Sequence, residues 1–114
     1  LREFMHVDDL ASAVVFALEN WDPNSEDSPK DKNGKPLYFL NVGTGKDITI
    51  KELAKKIALI ANYEGEILWN NSMPDGTPRK VLNVSRLMNL GWDPKINLNY
   101  GLTETIKNLD VDLL

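Results

Sequence analysis

Arg2-Glu3-Phe4-Met5-His6-Val7-Asp8-Asp9-Leu10-Ala11-Ser12-Ala13-Val14-Val15-Phe16-Ala17-Leu18 is the stretch on which the architecture turns. Leu1 to His6 reads as a short extended segment that runs into Val7-Asp8-Asp9. Asp8 or Asp9 then offers an N-cap carboxylate to the free N–H groups of a first helical turn. Leu10 to Leu18 is strongly apolar and helix-compatible, and Pro23 places the helix end near Asn20. Apolar residues lie nearly all round this helix, which predicts that most of it is buried. A strand running directly into a helix makes the chain mixed α/β.

The sequence beyond it alternates between punctuated loops and periodic segments. Asp22 to Pro36 holds three prolines, a glycine and alternating acids and lysines, with no aliphatic or aromatic residue. It has nothing to bury against the entropy of ordering it and reads as a mobile polar surface loop, 22–36. Leu37-Tyr38-Phe39-Leu40-Asn41-Val42, ended by Gly43, predicts a buried strand. Thr49-Ile50-Lys51-Glu52 has the spacing of a capping box. Ile50, Leu53, Ile57 and Ile60 follow at helical spacing, so an amphipathic helix runs to about Ala61. Glu66-Ile67-Leu68-Trp69 is a second strand candidate. Ser85 to Leu90 predicts one or two helical turns capped by Ser85 and stopped by Gly91. Asn97 or Asn99 caps a last helix through about Leu109.

A chain of 114 residues, 42% apolar and 26% charged, has the composition of a soluble globular domain and the length for one core. It is too short for a two-lobed enzyme with its own nucleotide-cofactor domain. With no cysteine, disulfides, thiolate metal sites and cysteine nucleophiles are excluded. The net charge of −4 argues against nucleic acid as a partner, but not against one phosphate group held by a local basic pair. No apolar run reaches the ~20 residues of a membrane span, and no signal peptide is visible. The first residue is Leu1, not methionine, which fits a fragment or a processed product.

Three places invite a chemical reading. His6, Asp8 and Asp9 bring together ligand types, but one histidine and no fixed third partner make a poor metal centre, and a strand-to-helix junction accounts for them. Gly43-Thr44-Gly45 follows a predicted strand, yet the third glycine of G-x-G-x-x-G falls on Ile48 and the helix starts too late. A tight turn with positive φ accounts for the glycines. Met73-Pro74-Asp75-Gly76-Thr77-Pro78-Arg79-Lys80 is the most site-like stretch, because its prolines and glycine constrain the backbone around charged side chains. Arg79 and Lys80 suit phosphate oxygens and Asp75 suits sugar hydroxyls, so an anion-binding loop and a solvated turn both remain open. Arg2, on a short strand, has the same two readings. Trp21, Trp69 and Trp92 are scattered, one per segment, and fit core or edge positions.

The order of Arg2-Glu3-Phe4-Met5-His6-Val7-Asp8-Asp9, Asn41-Val42-Gly43-Thr44-Gly45 and Thr49-Ile50-Lys51-Glu52-Leu53 resembles that of the extended short-chain dehydrogenase/reductases. Pro74 to Lys80, followed by Asn83-Val84-Ser85-Arg86-Leu87 and Leu90-Gly91-Trp92, narrows the resemblance to the GDP-L-fucose synthase family. It covers nearly the whole chain apart from the loop 22–36. The resemblance implies the small C-terminal substrate-binding lobe of an NADP-dependent, cytoplasmic and homodimeric epimerase/reductase that converts a GDP-4-keto-6-deoxy sugar. The other implied candidates are the lobe of a different nucleotide-sugar epimerase or dehydratase and a free-standing binding module. By the same resemblance Arg2, Asp75 and Lys80 contact the GDP-sugar, with Arg79 beside them. The family's glycine-rich NADP loop and its catalytic residues precede the Arg2-Glu3-Phe4 motif, so the Rossmann domain and cofactor site are absent from this chain. The lobe alone is expected to be inactive.

Overall fold

The opening stretch does fold as a strand and then a helix, in a computed structural model that describes residues 1–109. The elements are β1 (Arg2–Glu3), α1 (Val7–Asn20), β2 (Asp47–Ile48), α2 (Ile50–Ile60), α3 (Ser85–Asn89) and α4 (Leu98–Lys107). β1 pairs antiparallel with β2, Arg2 opposite Ile48 and Glu3 opposite Asp47. Lys80 bridges to Arg2 in parallel sense, so the residues after Pro78 lie along the other edge of β1.

The start of α1 corrects the expected aspartate cap. His6 is the N-cap, its Nδ1 accepting from the Asp8 N–H at 3.2 Å. The imidazole supplies an acceptor where a carboxylate was expected, and this releases both acids into the first turn, where the helix dipole favours them. Asp9 uses that position for a long-range contact. It is 2% exposed and accepts from the N–H groups of Lys95 and Ile96 at 3.0 and 2.9 Å. One carboxylate thus fixes the segment that leads into α4.

The other helices follow their local signals closely. The capping box of α2 is complete: Thr49 accepts from the Glu52 N–H, and Glu52 accepts from the Thr49 N–H. Asn97 caps α4 by accepting from the Tyr100 N–H at 2.9 Å, and α4 packs on α2. The N-cap of α3 is Val84, not Ser85; Ser85 is the first helical residue, and its N–H is taken by the Asn83 side chain. Gly91, at φ +113°, ends the turn that follows α3.

Two strand expectations fail. Neither 37–42 nor 66–69 is a strand, because among the described residues neither has a neighbouring strand to complete its backbone hydrogen bonds. Leu37 is buried and Leu40 and Val42 pack on the core, while Tyr38 and Phe39 are exposed. The segment 22–36 is built from turns around Asp22, Ser25 and Asp31 and closed by a bridge between Lys30 and Pro36. Its buried Ser28 accepts from the Trp21 indole at 3.0 Å.

The core is small. Ala13, Leu87 and Trp92 form its centre, with Met5, Phe16, Leu40 and Val42 packed around it. The Trp92 indole donates to Ser12 Oγ at 3.1 Å, whereas Trp69 is exposed. The composition of α1 predicts burial on most sides, and the structure contradicts this: Val7, Leu10, Val14, Val15 and Leu18 are all exposed, Leu18 at 82%. The radius of gyration is 18.0 Å, against about 13 Å expected for a self-contained domain of this length. Pattern alone could not show that the α1 surface outruns what 109 described residues can cover.

Asp9→Ala would leave two part-buried N–H groups without their acceptor. It is expected to destabilise the protein by about 2–4 kcal/mol in thermal or urea unfolding, with Asp8→Ala changing little.

Candidate functional site

The site is organised by Glu3. Strand β1 points this side chain at two loops that are distant in sequence. Its Oε1 accepts from the N–H groups of Thr44 and Gly45, the latter at 2.7 Å, and its Oε2 accepts from the Leu82 N–H at 2.8 Å. Burial works against the charge of this carboxylate, but the N–H groups of Leu82, Gly45 and Thr44 outweigh it and hold the carboxyl below the usual glutamate value.

The glycines of Gly43-Thr44-Gly45 are explained by this grip, and by two different requirements. A Cβ on Gly43 would lie 2.3 Å from Glu3 Oε1, so the residue is glycine because the carboxylate passes there. Only Gly45 has the positive φ expected for the pair, at +69°. The two N–H groups at the turn form a small anion nest, occupied by the chain's own carboxylate. A dinucleotide phosphate cannot use the same donors, and α2 opens five residues beyond Gly45, at Ile50. These residues do not fit the NADP phosphates.

The loop 73–80 is fully exposed and lies on the far edge of β1 from β2. The Lys80 N–H donates to Leu1 O at 3.1 Å, and the Leu1 nitrogen donates to Pro78 O at 2.6 Å. The Arg2 guanidinium turns into the loop, where Nη1 donates to Thr77 O at 2.7 Å. Its Nη2 lies 3.3 Å from where a Gly76 Cβ would stand, so glycine gives the guanidinium room. The structure therefore brings Arg2 and Lys80 into register on one small sheet, with Asp75 one residue from the Gly76 contact.

Arg79 is engaged differently. Its Nε donates to Asp47 Oδ2, an ion pair that crosses β1, since the two residues belong to opposite edges of that strand. The hydrogen bond from Arg79 holds the Asp47 carboxyl below its usual range, and the same bond raises the guanidinium. Glu3 and Asp47 are the two residues that motif reading missed. Each is an ordinary acid in sequence, and its partners lie 32 or more residues away.

The grip on Glu3 has a consequence in acid. Because the folded carboxyl titrates below the ordinary value of 4.5, its contribution is complete above that pH and is lost as pH falls through the folded value. Glu3→Gln is expected to cost about 1–3 kcal/mol at neutral pH and to flatten the fall in stability below pH 4.5. Urea unfolding of both proteins between pH 3 and 7 checks this.

No protein-family model matches the chain. Individual relatives do. It is 42% identical over 94% of its length to a probable GDP-L-fucose synthase of Oryza sativa. It is 44% identical over 92% of its length to the GDP-L-fucose synthase of Escherichia coli. Among solved structures it superposes on a GDP-6-OMe-4-keto-L-xylo-heptose reductase from Campylobacter jejuni with a TM-score of 0.78 and 36% identity, over 93% of this chain and 30% of that one. A GDP-mannoheptose C4 reductase from the same organism, with NADP bound, gives 0.73 and 34%, over 93% of this chain and 30% of that one. The chain spans 29% and 32% of the length of the two curated relatives. Over nearly all of its length, this chain matches the C-terminal portion of GDP-L-fucose synthases.

Proposed function

We propose that the chain is the nucleotide-sugar-binding lobe of an NADP-dependent GDP-L-fucose synthase, which epimerises a GDP-4-keto-6-deoxy-mannose and reduces its 4-keto group. One observation carries the reading: Arg2 and Lys80, far apart in sequence, come into register on β1 beside a loop whose backbone is tied down on one edge and open on the other. Arg2 and Lys80 are cations suited to a diphosphate, one a planar fork and the other a point charge. Asp75 supplies an acceptor for sugar hydroxyls, while Arg79 is engaged by Asp47 and turned away from the two cations.

The relatives support GDP as the common part of the ligand. Their names carry fucose, colitose and heptose, but GDP recurs in each. The lobe reads the shared nucleotide diphosphate, and the sugar is selected with residues outside it. NADP is held outside these residues as well, since the anion nest here is filled by Glu3. The intact enzyme is read as cytoplasmic and homodimeric; among the described residues no helix is long and apolar enough to cross a membrane.

Two measurements test this. In the intact enzyme Lys80→Ala is expected to weaken GDP-sugar binding by about 1.5–3 kcal/mol in calorimetry, as the loss of one charge-assisted contact. An unchanged dissociation constant would remove Lys80 from the site. The 114-residue chain alone, incubated with NADPH and the GDP-4-keto sugar, is expected to give no loss of NADPH absorbance. Protein-dependent formation of GDP-fucose by the chain alone would overturn the lobe reading.

A further inference from the structure

We propose that Asp47 is a positioning residue for the nucleotide-binding loop: by holding Arg79 across β1, it keeps Lys80 aligned with Arg2. The inference rests on the reading of 73–80 as the GDP site and adds to it the device that sets the loop.

The register supplies the argument. Successive side chains on an extended strand face opposite sides, and directly paired residues share a side. Arg2 pairs with Ile48 on one edge and with Lys80 on the other, which places Arg2, Ile48 and Lys80 on one face. Glu3 pairs with Asp47, and Arg79 precedes Lys80, so these three share the opposite face. The Arg79–Asp47 pair joins the outer edges of the sheet on that second face and leaves the first to the two cations.

The two partners are unequally fixed. The Asp47 side chain is 16% exposed, on a strand whose pairing partner Glu3 is itself tied to two loops, while the Arg79 side chain is 60% exposed on a loop with no buried residue. Asp47 is therefore the anchor and Arg79 the tether. Without the tether, Arg79 can rotate toward the diphosphate face, and Lys80 loses its fixed side. Asp47 acts on affinity through Arg79 and touches no reacting atom.

The test is steady-state kinetics of the intact enzyme with NADPH and the GDP-4-keto sugar, for Asp47→Asn, for the charge exchange Asp47→Arg with Arg79→Asp, and for Lys80→Ala. Asp47→Asn is expected to raise KM for the GDP-sugar about three- to tenfold, leaving kcat and the KM for NADPH within about twofold. The charge exchange is expected to bring the GDP-sugar KM back to within about twofold of the original. If Lys80→Ala raises KM but Asp47→Asn does not, the positioning role fails while the loop reading stands. A raised KM that the charge exchange does not restore also overturns action through Arg79. A fall in kcat at constant KM, with a lowered melting temperature, would make Asp47 merely structural and overturn the proposal. If Lys80→Ala leaves KM unchanged, the loop reading fails and this inference with it.

Discussion

The Glu3 carboxylate is the constraint on which the rest of this chain depends. A two-residue strand contributes little by itself, since a short ribbon is marginal in water. Here the strand is held because one side chain accepts three backbone N–H groups from segments about 40 and 80 residues away. That single acid joins the Gly43–Gly45 turn, the strand and the residues following Lys80. Asp9 does the same service a few residues later for the segment entering α4. Two buried or half-buried acids therefore replace much of what a wide sheet does in larger α/β proteins.

This arrangement explains an exposed apolar surface that would otherwise be a defect. Val7, Val14 and Leu18 on α1, with Tyr38, Phe39 and Leu68 elsewhere, lie open to solvent. Of these, Val7, Val14 and Leu18 recur at helical spacing on α1, the pattern of a face that packs against another part of a protein. The radius of gyration of 18.0 Å gives the same message in a global quantity, as a self-contained fold of this length would measure about 13 Å. A chain that matches less than a third of the length of its curated relatives is consistent with both.

How much of this was legible depends on the range of the interaction. The α2 capping box, the Asn97 cap and the Gly91 stop are local, and residues within four positions suffice to read them. Arg2 and the 73–80 loop were identified as charged and constrained, and their meeting on β1 follows from a tertiary pairing that no spacing encodes. The His6 cap is not legible locally, because Asp8 and Asp9 are the stronger cap formers and Asp9 is instead committed to Lys95 and Ile96. The strands expected at 37–42 and 66–69 do not form because an apolar run does not specify a pairing partner, and the run at 66–69 is exposed as well. The Gly43-Thr44-Gly45 turn departs in its spacing from a dinucleotide loop, which is a local property. Its true occupant, Glu3, lies outside any local window.

In the proposed function, the diphosphate of a GDP-sugar lies over the Arg2–Lys80 face of β1. A crystal structure of the intact protein with GDP bound tests this most directly. Diphosphate oxygens are expected within hydrogen-bond distance, about 3 Å, of both the Arg2 guanidinium and the Lys80 ammonium. A diphosphate bound elsewhere, with both side chains turned to solvent, would contradict it.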